Sequence, residues 1–161
     1  MRIEVILVHT DKFIKDIAPA AQDCCRRTGV FASCIIAQAA LESGWGRTVP
    51  VDEKTGRSSN NLFGIKGEGP CGCIEIPHME YENGKRVWRK AKFRCYHDYA
   101  ECIRDWEEVI MHDRYKPVRE ARTPDEAAHQ LYRCGYATDL EYPQKLMSIM
   151  RQYNLYSYDN D

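Results

Sequence analysis

The sequence predicts an α+β domain in which a mainly helical body carries one small antiparallel β-hairpin. Three observations support this. Apolar residues recur at helical spacing on both flanks, the centre turns glycine-rich and loses that spacing, and Asn83-Gly84 separates two runs of strand-forming residues. No repeat, low-complexity tract or Pro/Ser-rich linker divides the chain, so residues 1–161 read as a single domain. About 150 residues suffice to bury one substantial core without metal or disulfide staples.

Thr10-Asp11 offers an N-cap to a helix carrying Phe13, Ile14 and Ile17; it runs past Pro19, a kink or new start, until Gly29. A second helix is expected from about Phe31 to Ser43, with Gly44 as its C-cap. Residues 46–73 hold six glycines and two prolines around the polar run Arg57-Ser58-Ser59-Asn60-Asn61, and read as loop. Asn83-Gly84 suits a two-residue turn because both positions must take positive φ. Partners across that hairpin then sum to 167, so Glu80 opposes Val87 and His78 opposes Arg89. Ile74, Ile76, Val87, Ala91, Phe93 and Cys95 share the protein-facing side. Glu80 shares it too, which is odd for a carboxylate unless it looks into a cleft. Asp98 caps a strongly amphipathic helix with Tyr99, Cys102, Ile103, Trp106, Val109 and Ile110 on its stripe. Thr123-Pro124-Asp125-Glu126 is a capping box opening a helix that Gly135 ends, and a last helix follows Pro143, burying Leu146, Ile149 and Met150.

The 23 basic and 24 acidic residues leave a formal charge of -1, which excludes a strongly basic nucleic-acid binder and a polybasic membrane binder. The early apolar run Ile3 to Val8 is too short and polar for a signal core or a membrane span, so the chain is expected to be made in the cytoplasm. Eight cysteines without an export signal do not make a disulfide framework. Cys71-Gly72-Cys73 with His78 nearby raises zinc, but the paired Cys-x-x-Cys units of a zinc ribbon are missing, and neither metal nor cofactor is expected.

Glu42 breaks a local rule. It follows Ile35 by seven residues and Ala39 by three, so it continues the apolar stripe of its helix, and it sits in the last turn, where the backbone dipole is negative. Both surroundings push a carboxyl pKa upward and keep a proton available near neutral pH, which a general acid requires. A helix-end glutamate bonded to nearby backbone is the plain alternative.

The string Ile36-Ala37-Gln38-Ala39-Ala40-Leu41-Glu42-Ser43-Gly44-Trp45-Gly46, followed by Asn60-Asn61-Leu62-Phe63-Gly64-Ile65-Lys66-Gly67, resembles the signature of glycoside hydrolase family 73. Glu80-Tyr81, Phe93-Arg94-Cys95-Tyr96 and Gly135-Tyr136-Ala137-Thr138-Asp139 extend the likeness over roughly residues 12–155. The resemblance implies a lysozyme-like fold whose hairpin flanks a cleft. It also implies an endo-β-N-acetylglucosaminidase that cuts bacterial peptidoglycan between N-acetylglucosamine and N-acetylmuramic acid. Such an enzyme works as a monomer on the wall after release or export, in the manner of a phage lysin. A muramidase or lytic transglycosylase on the same scaffold, and a glycan-binding module without turnover, are the competing readings.

Carried over by position, the resemblance makes Glu42 the general acid, Glu80 the second carboxylate and Tyr136 a supporting tyrosine. The chemistry needs a proton for the leaving oxygen and negative charge near an oxocarbenium-like centre. Glu80 would act as base on a water with the carboxylates about 6.5–9.5 Å apart, or as nucleophile at about 5–5.5 Å. On a third route the substrate's own acetamido oxygen attacks, and a tyrosine hydroxyl orients it. Trp45, Phe63, Tyr81 and Tyr96 are candidate faces for sugar rings, and Asn60 and Asn61 candidate amide partners. Two departures stand out: Leu140 replaces a proline that commonly follows the Thr-Asp pair, and Cys71-Gly72-Cys73 has no counterpart in the pattern.

Overall fold

The computed structural model describes residues 3–160. Among the described residues, six α-helices accompany one two-stranded antiparallel sheet, in the order α1 (Ile3–Thr28), α2 (Ala32–Ser43), β1 (Cys73–Glu82), β2 (Lys85–Arg94), α3 (Tyr99–Ile110), α4 (Lys116–Arg119), α5 (Pro124–Arg133) and α6 (Tyr142–Gln152). Short 3-10 turns precede α4 and follow α6, at Asp113–Tyr115 and Leu155–Asp159. The helical body with a single hairpin is the α+β arrangement the sequence predicts.

Helix α2 is the axis of the body. Nearly every residue from Ala32 to Ala40 is buried, and α1, α5, α6 and the last 3-10 turn pack around it. A helix apolar on all sides is stable only when surrounded. Its alanines let neighbours approach closely, and Ile35 and Ile36 fill the remaining space with Ile17, Leu131, Leu146 and Met150. Gly44 ends the helix in the left-handed conformation, its N–H returning to the Ala40 carbonyl.

Helix α1 departs from expectation at its start. It begins at Ile3 rather than at a Thr10 cap, and the Thr10 hydroxyl instead donates to the Leu7 carbonyl within the helix. No breaker lies between those positions, so the helix extends outward with Ile3, Val5, Leu7 and Val8 exposed. Pro19 neither ends nor restarts it. Proline inside a helix costs about 3 kcal/mol, but Pro19 lies on the solvent side, and the uninterrupted stripe Phe13, Ile14, Ile17, Ala18, Ala21 and Cys24 is buried. Burial of one large side chain contributes about 1.5–3 kcal/mol, so three of them outweigh the proline.

The hairpin register is the predicted one, with Glu80 opposite Val87 and His78 opposite Arg89, and Asn83 and Gly84 both at positive φ. Ile74 and Ala91 at its base are buried, whereas Tyr81 and Trp88 near its tip are two-thirds exposed. The Asp98 and Thr123 side chains cap α3 and α5 by accepting from Glu101 N and Glu126 N. The turn at 113–115 and helix α4 escaped sequence reading because one helical turn shows no periodicity; they bring Tyr115 and Val118 into the core.

Residues 46–72 contain no helix or named strand and are ordered mainly by side chains. Asn61, 2% exposed, donates from Nδ2 to the carbonyls of Ile65 (2.8 Å) and Arg94 (3.0 Å) and accepts from Ile65 N at Oδ1 (3.0 Å). One amide thus ties the loop that follows α2 to the end of β2. Asn61→Ala leaves the Ile65 amide without its acceptor, so we expect a loss of about 3 kcal/mol. That corresponds to a fall of about 5–10 °C in the midpoint of thermal unfolding followed by circular dichroism. An unchanged midpoint would show that the loop orders itself without this side chain.

Candidate active site

The last turn of α2 opens into a cleft of about 720 Å³, lined by Glu42, Phe63, Tyr115, Tyr136 and Tyr142 among others. Gly135 to Asp139 form its far wall, and Gly64 and Ile65 the side toward the central loop. The three tyrosines form one cluster behind the cleft, with Tyr115 and Tyr142 largely buried: Tyr136 is 5.9 Å from Tyr115 and 6.4 Å from Tyr142 between ring centroids. Phe63 stacks on Trp106 at 5.4 Å, which fixes its ring at the cleft edge.

Glu42 projects into this cleft and meets solvent there. Enough protein still crowds its carboxyl that desolvation raises the pKa above the ordinary glutamate value. The Tyr142 hydroxyl, donating to Oε1 at 3.0 Å, opposes the shift and is the weaker influence. That hydroxyl in turn accepts from Nε2 of Gln38 at 3.0 Å. Gln38 is wholly buried one turn back on α2, and its Oε1 has no partner. The partner of Glu42 is therefore a side chain one hundred residues away, where helix-end backbone was the plain alternative.

Tyr136 belongs to the same electrostatic unit. Burial raises its hydroxyl pKa, and the nearby Glu42 charge raises it further. The Trp106 indole lies close enough to favour the ionised phenol, yet it meets no hydrogen-bond geometry, so Trp106 Nε1 is a buried donor without a partner.

Glu80 sits in the opposite kind of environment. His78 Nε2 lies 2.7 Å from Oε1, and the Arg89 guanidinium lies 3.3 Å from Oε2. His78 foremost, with Arg89 and Lys66 adding to it, lowers the carboxyl pKa, so Glu80 is ionised above the acid range. Its place on the inner face of the hairpin follows from these partners, because His78 and Arg89 oppose each other on that face. Glu80 is not among the residues lining the cleft around Glu42.

The remaining predicted contacts divide. Phe63 lines the cleft. Tyr96 is 1% exposed and donates its hydroxyl to Asp105, so its ring is not offered to a sugar. Asn61 is consumed by the loop bonds described above. Asn60 takes positive φ and donates to the carbonyls of Tyr96 and His97. Trp45 packs against Tyr153 at 4.6 Å and Phe13 at 5.8 Å and is not among the residues lining the cleft. Tyr81 is exposed on the outer side of the hairpin. Tyr96, Asn61, Asn60 and Trp45 are thus engaged in packing or backbone contacts, and Tyr81 is left open to solvent. Sequence reading missed Tyr142. Its signal was its place four residues before Leu146 on the buried stripe of α6, where a phenol needs a hydrogen-bond partner. Among the described residues no group of three or more His, Cys, Asp or Glu gathers to hold a metal ion, and no helix is long and apolar enough to cross a membrane.

The family described as mannosyl-glycoprotein endo-beta-N-acetylglucosaminidase matches residues 18–155. The chain is 38% identical over 155 residues to the peptidoglycan hydrolase FlgJ of Pseudomonas aeruginosa, covering 94% of this chain and 38% of that protein. It thus spans well under half of that relative's length. Among solved structures it is similar to the C-terminally truncated glycoside hydrolase domain of Salmonella typhimurium FlgJ, with TM-score 0.77, 38% identity and coverage of 90% and 97% of the two chains. The catalytic domain of the Listeria monocytogenes autolysin Auto gives TM-score 0.81 at 34% identity, covering 94% and 88%.

Because the folded pKa of Glu42 is raised, the fold disfavours its ionised form. Stability linked to this group is present below the unfolded glutamate pKa and lost as pH rises through the folded value. Glu42→Gln is therefore expected to unfold at higher temperature than the parent at pH 7, with the difference closing below the ordinary carboxylate range. In Tyr142→Phe, the Glu42 carboxyl should titrate higher still by carbon-detected NMR. A downward move would reverse the assigned role of the hydroxyl.

Proposed function

The chain belongs to the glucosaminidase family, whose glycoside hydrolase domains have the lysozyme-like fold. On that premise we propose that it hydrolyses the β-1,4 bond between N-acetylglucosamine and N-acetylmuramic acid in bacterial peptidoglycan. Glu42 is the general acid. One observation carries this reading: a carboxyl with a raised pKa in a cleft walled by Phe63, Tyr115, Tyr136 and Tyr142. Such a group holds its proton to higher pH than free glutamate, and the part of the aromatic lining that meets the cleft suits the C–H patches of a hexosamine ring.

Glycan lies along the cleft with the scissile oxygen at Glu42, which protonates it as the bond breaks. Tyr142 and Gln38 hold the carboxyl in place and restrict its rotamers. Glu80 supplies the second, ionised carboxylate. Its low pKa supports a charge that is present throughout the working range and faces the oxocarbenium-like centre directly or through a water. Tyr136 orients the reacting N-acetyl sugar through its hydroxyl, which burial keeps protonated. The whole unit acts as one catalytic domain and a monomer, on the wall after release from the cytoplasm.

Two ionisations of opposite requirement give a bell-shaped pH dependence. Activity falls on the alkaline side as Glu42 loses its proton, above the ordinary glutamate range. It falls on the acid side as Glu80 gains one, below that range. Release of soluble fragments from purified peptidoglycan should drop about 10²–10⁴-fold in Glu42→Gln while circular dichroism stays unchanged. Retained activity in the folded variant rejects Glu42 as the acid. After borohydride reduction the product ends should be glucosaminitol; muramitol ends would identify a muramidase, anhydromuramic ends a transglycosylase, and retention without fragments a binding module.

A further inference from the structure

Cys71-Gly72-Cys73 is the motif that the proposed chemistry leaves unused. The turn closed by hydrogen bonds between Gly69 and Gly72 lies against the end of β2. Cys71 N donates to the Cys95 carbonyl at 3.1 Å, and Cys95 N donates to the Gly72 carbonyl at 3.0 Å. A side chain at Gly69 would collide with that same segment, because its Cβ would fall 2.5 Å from the Cys95 carbonyl oxygen. Residues 71 and 72 together therefore oppose Cys95 across a short antiparallel contact. Two residues sharing one partner is the arrangement of a β-bulge, and backbones joined by ladder hydrogen bonds lie about 4.7–4.9 Å apart, inside the Cα span of roughly 4.4–6.8 Å that a disulfide bridges.

The Cys71 thiol is near enough to help raise the pKa of Cys95, after burial. Cys71 is half-buried and reachable, whereas Cys95 is 1% exposed beneath it. Arg57 is anchored beside this contact by donating from Nη2 to the Cys71 carbonyl at 3.0 Å. Cys73, by contrast, begins β1 opposite Arg94, and Cys102 accepts from Leu62 N inside the core.

We propose that Cys71 and Cys95 are a disulfide-forming pair that closes the base of the β-hairpin when the protein meets an oxidising disulfide. The Cys71 thiolate attacks one sulfur of a small or protein disulfide and expels the first thiolate of that oxidant. The Cys95 sulfur, giving up its proton, then attacks the Cys71 sulfur of the mixed disulfide and expels the second. Two protein thiols are oxidised, one disulfide is reduced to two thiols, and both protons end on the departing thiols. The link encloses the whole hairpin, including the segment that carries Glu80, and restrains the unfolded chain rather than adding a contact to the folded one.

The test uses the full chain and oxidised glutathione. After incubation, unreacted thiols are alkylated and the chain is digested without reduction. The expected result is one cross-linked peptide pair joining residues 71 and 95, lighter by two hydrogens than its halves, with the other six of the eight cysteines alkylated. The link should vanish in Cys71→Ser and persist in Cys73→Ser. Oxidation should raise the midpoint of thermal unfolding by about 5–10 °C, a phosphine reductant should reverse it, and Cys71→Ser should melt like the reduced parent. Alkylation of all eight thiols, a link made through Cys73, or a glutathione adduct on Cys71 that never resolves would each overturn the proposal.

Discussion

The fold is organised around a helix that must be buried on every side and yet must end at a solvent-filled cleft. Helix α2 meets the first demand with alanine and isoleucine and the second with Glu42, which is the point where the core stripe becomes a functional surface. A carboxyl in that position is held neither by a cation nor by helix-end backbone. Its partner is one phenol, Tyr142, itself supported by an amide from the preceding turn of α2. Crowding thus disfavours the ionised form of Glu42 and the neutral hydrogen bond opposes that only in part, where a cationic partner would have lowered the pKa outright.

Glu42 and Glu80 have their pKa values moved in opposite directions by ordinary means. Glu42 stands at the mouth of an aromatic cleft with only a hydroxyl for company, and its pKa goes up. Glu80 stands on an exposed ribbon between an imidazole and a guanidinium, and its pKa goes down. Separation of this kind lets an acid and an anion coexist at one pH. It also carries a cost in stability, because the fold holds Glu42 where its charged form is disfavoured, and because Gln38 Oε1 and Trp106 Nε1 are buried nearby without partners.

The central loop shows why residues around such a site mislead when read one at a time. Asn60, Asn61 and Tyr96 have the chemistry of sugar-binding groups, and each is instead committed to holding backbone or core. A loop with no helix and no named strand must satisfy its amides and carbonyls by side chains, and asparagine is well suited to that task. The side chains that do face the cleft come from four separate stretches: the end of α2, the Phe63–Ile65 turn, Tyr115, and the run from Gly135 through α6.

Much of this was legible in the chain itself. Period-3.6 stripes, capping residues and the Asn83-Gly84 turn determined the helices, the hairpin and its register, because those features depend on neighbours a few residues apart. The anomaly of an acidic residue on an apolar stripe likewise marked Glu42. Tertiary structure alone decided the start of α1 at Ile3 and the continuity of that helix through Pro19, since the gain from burying its inner stripe is set by what packs against it. It also decided that Tyr142 meets Glu42 and that Cys71 meets Cys95. Contacts between residues so far apart in the chain leave no local periodicity, and only closure of the fold brings them within bonding range.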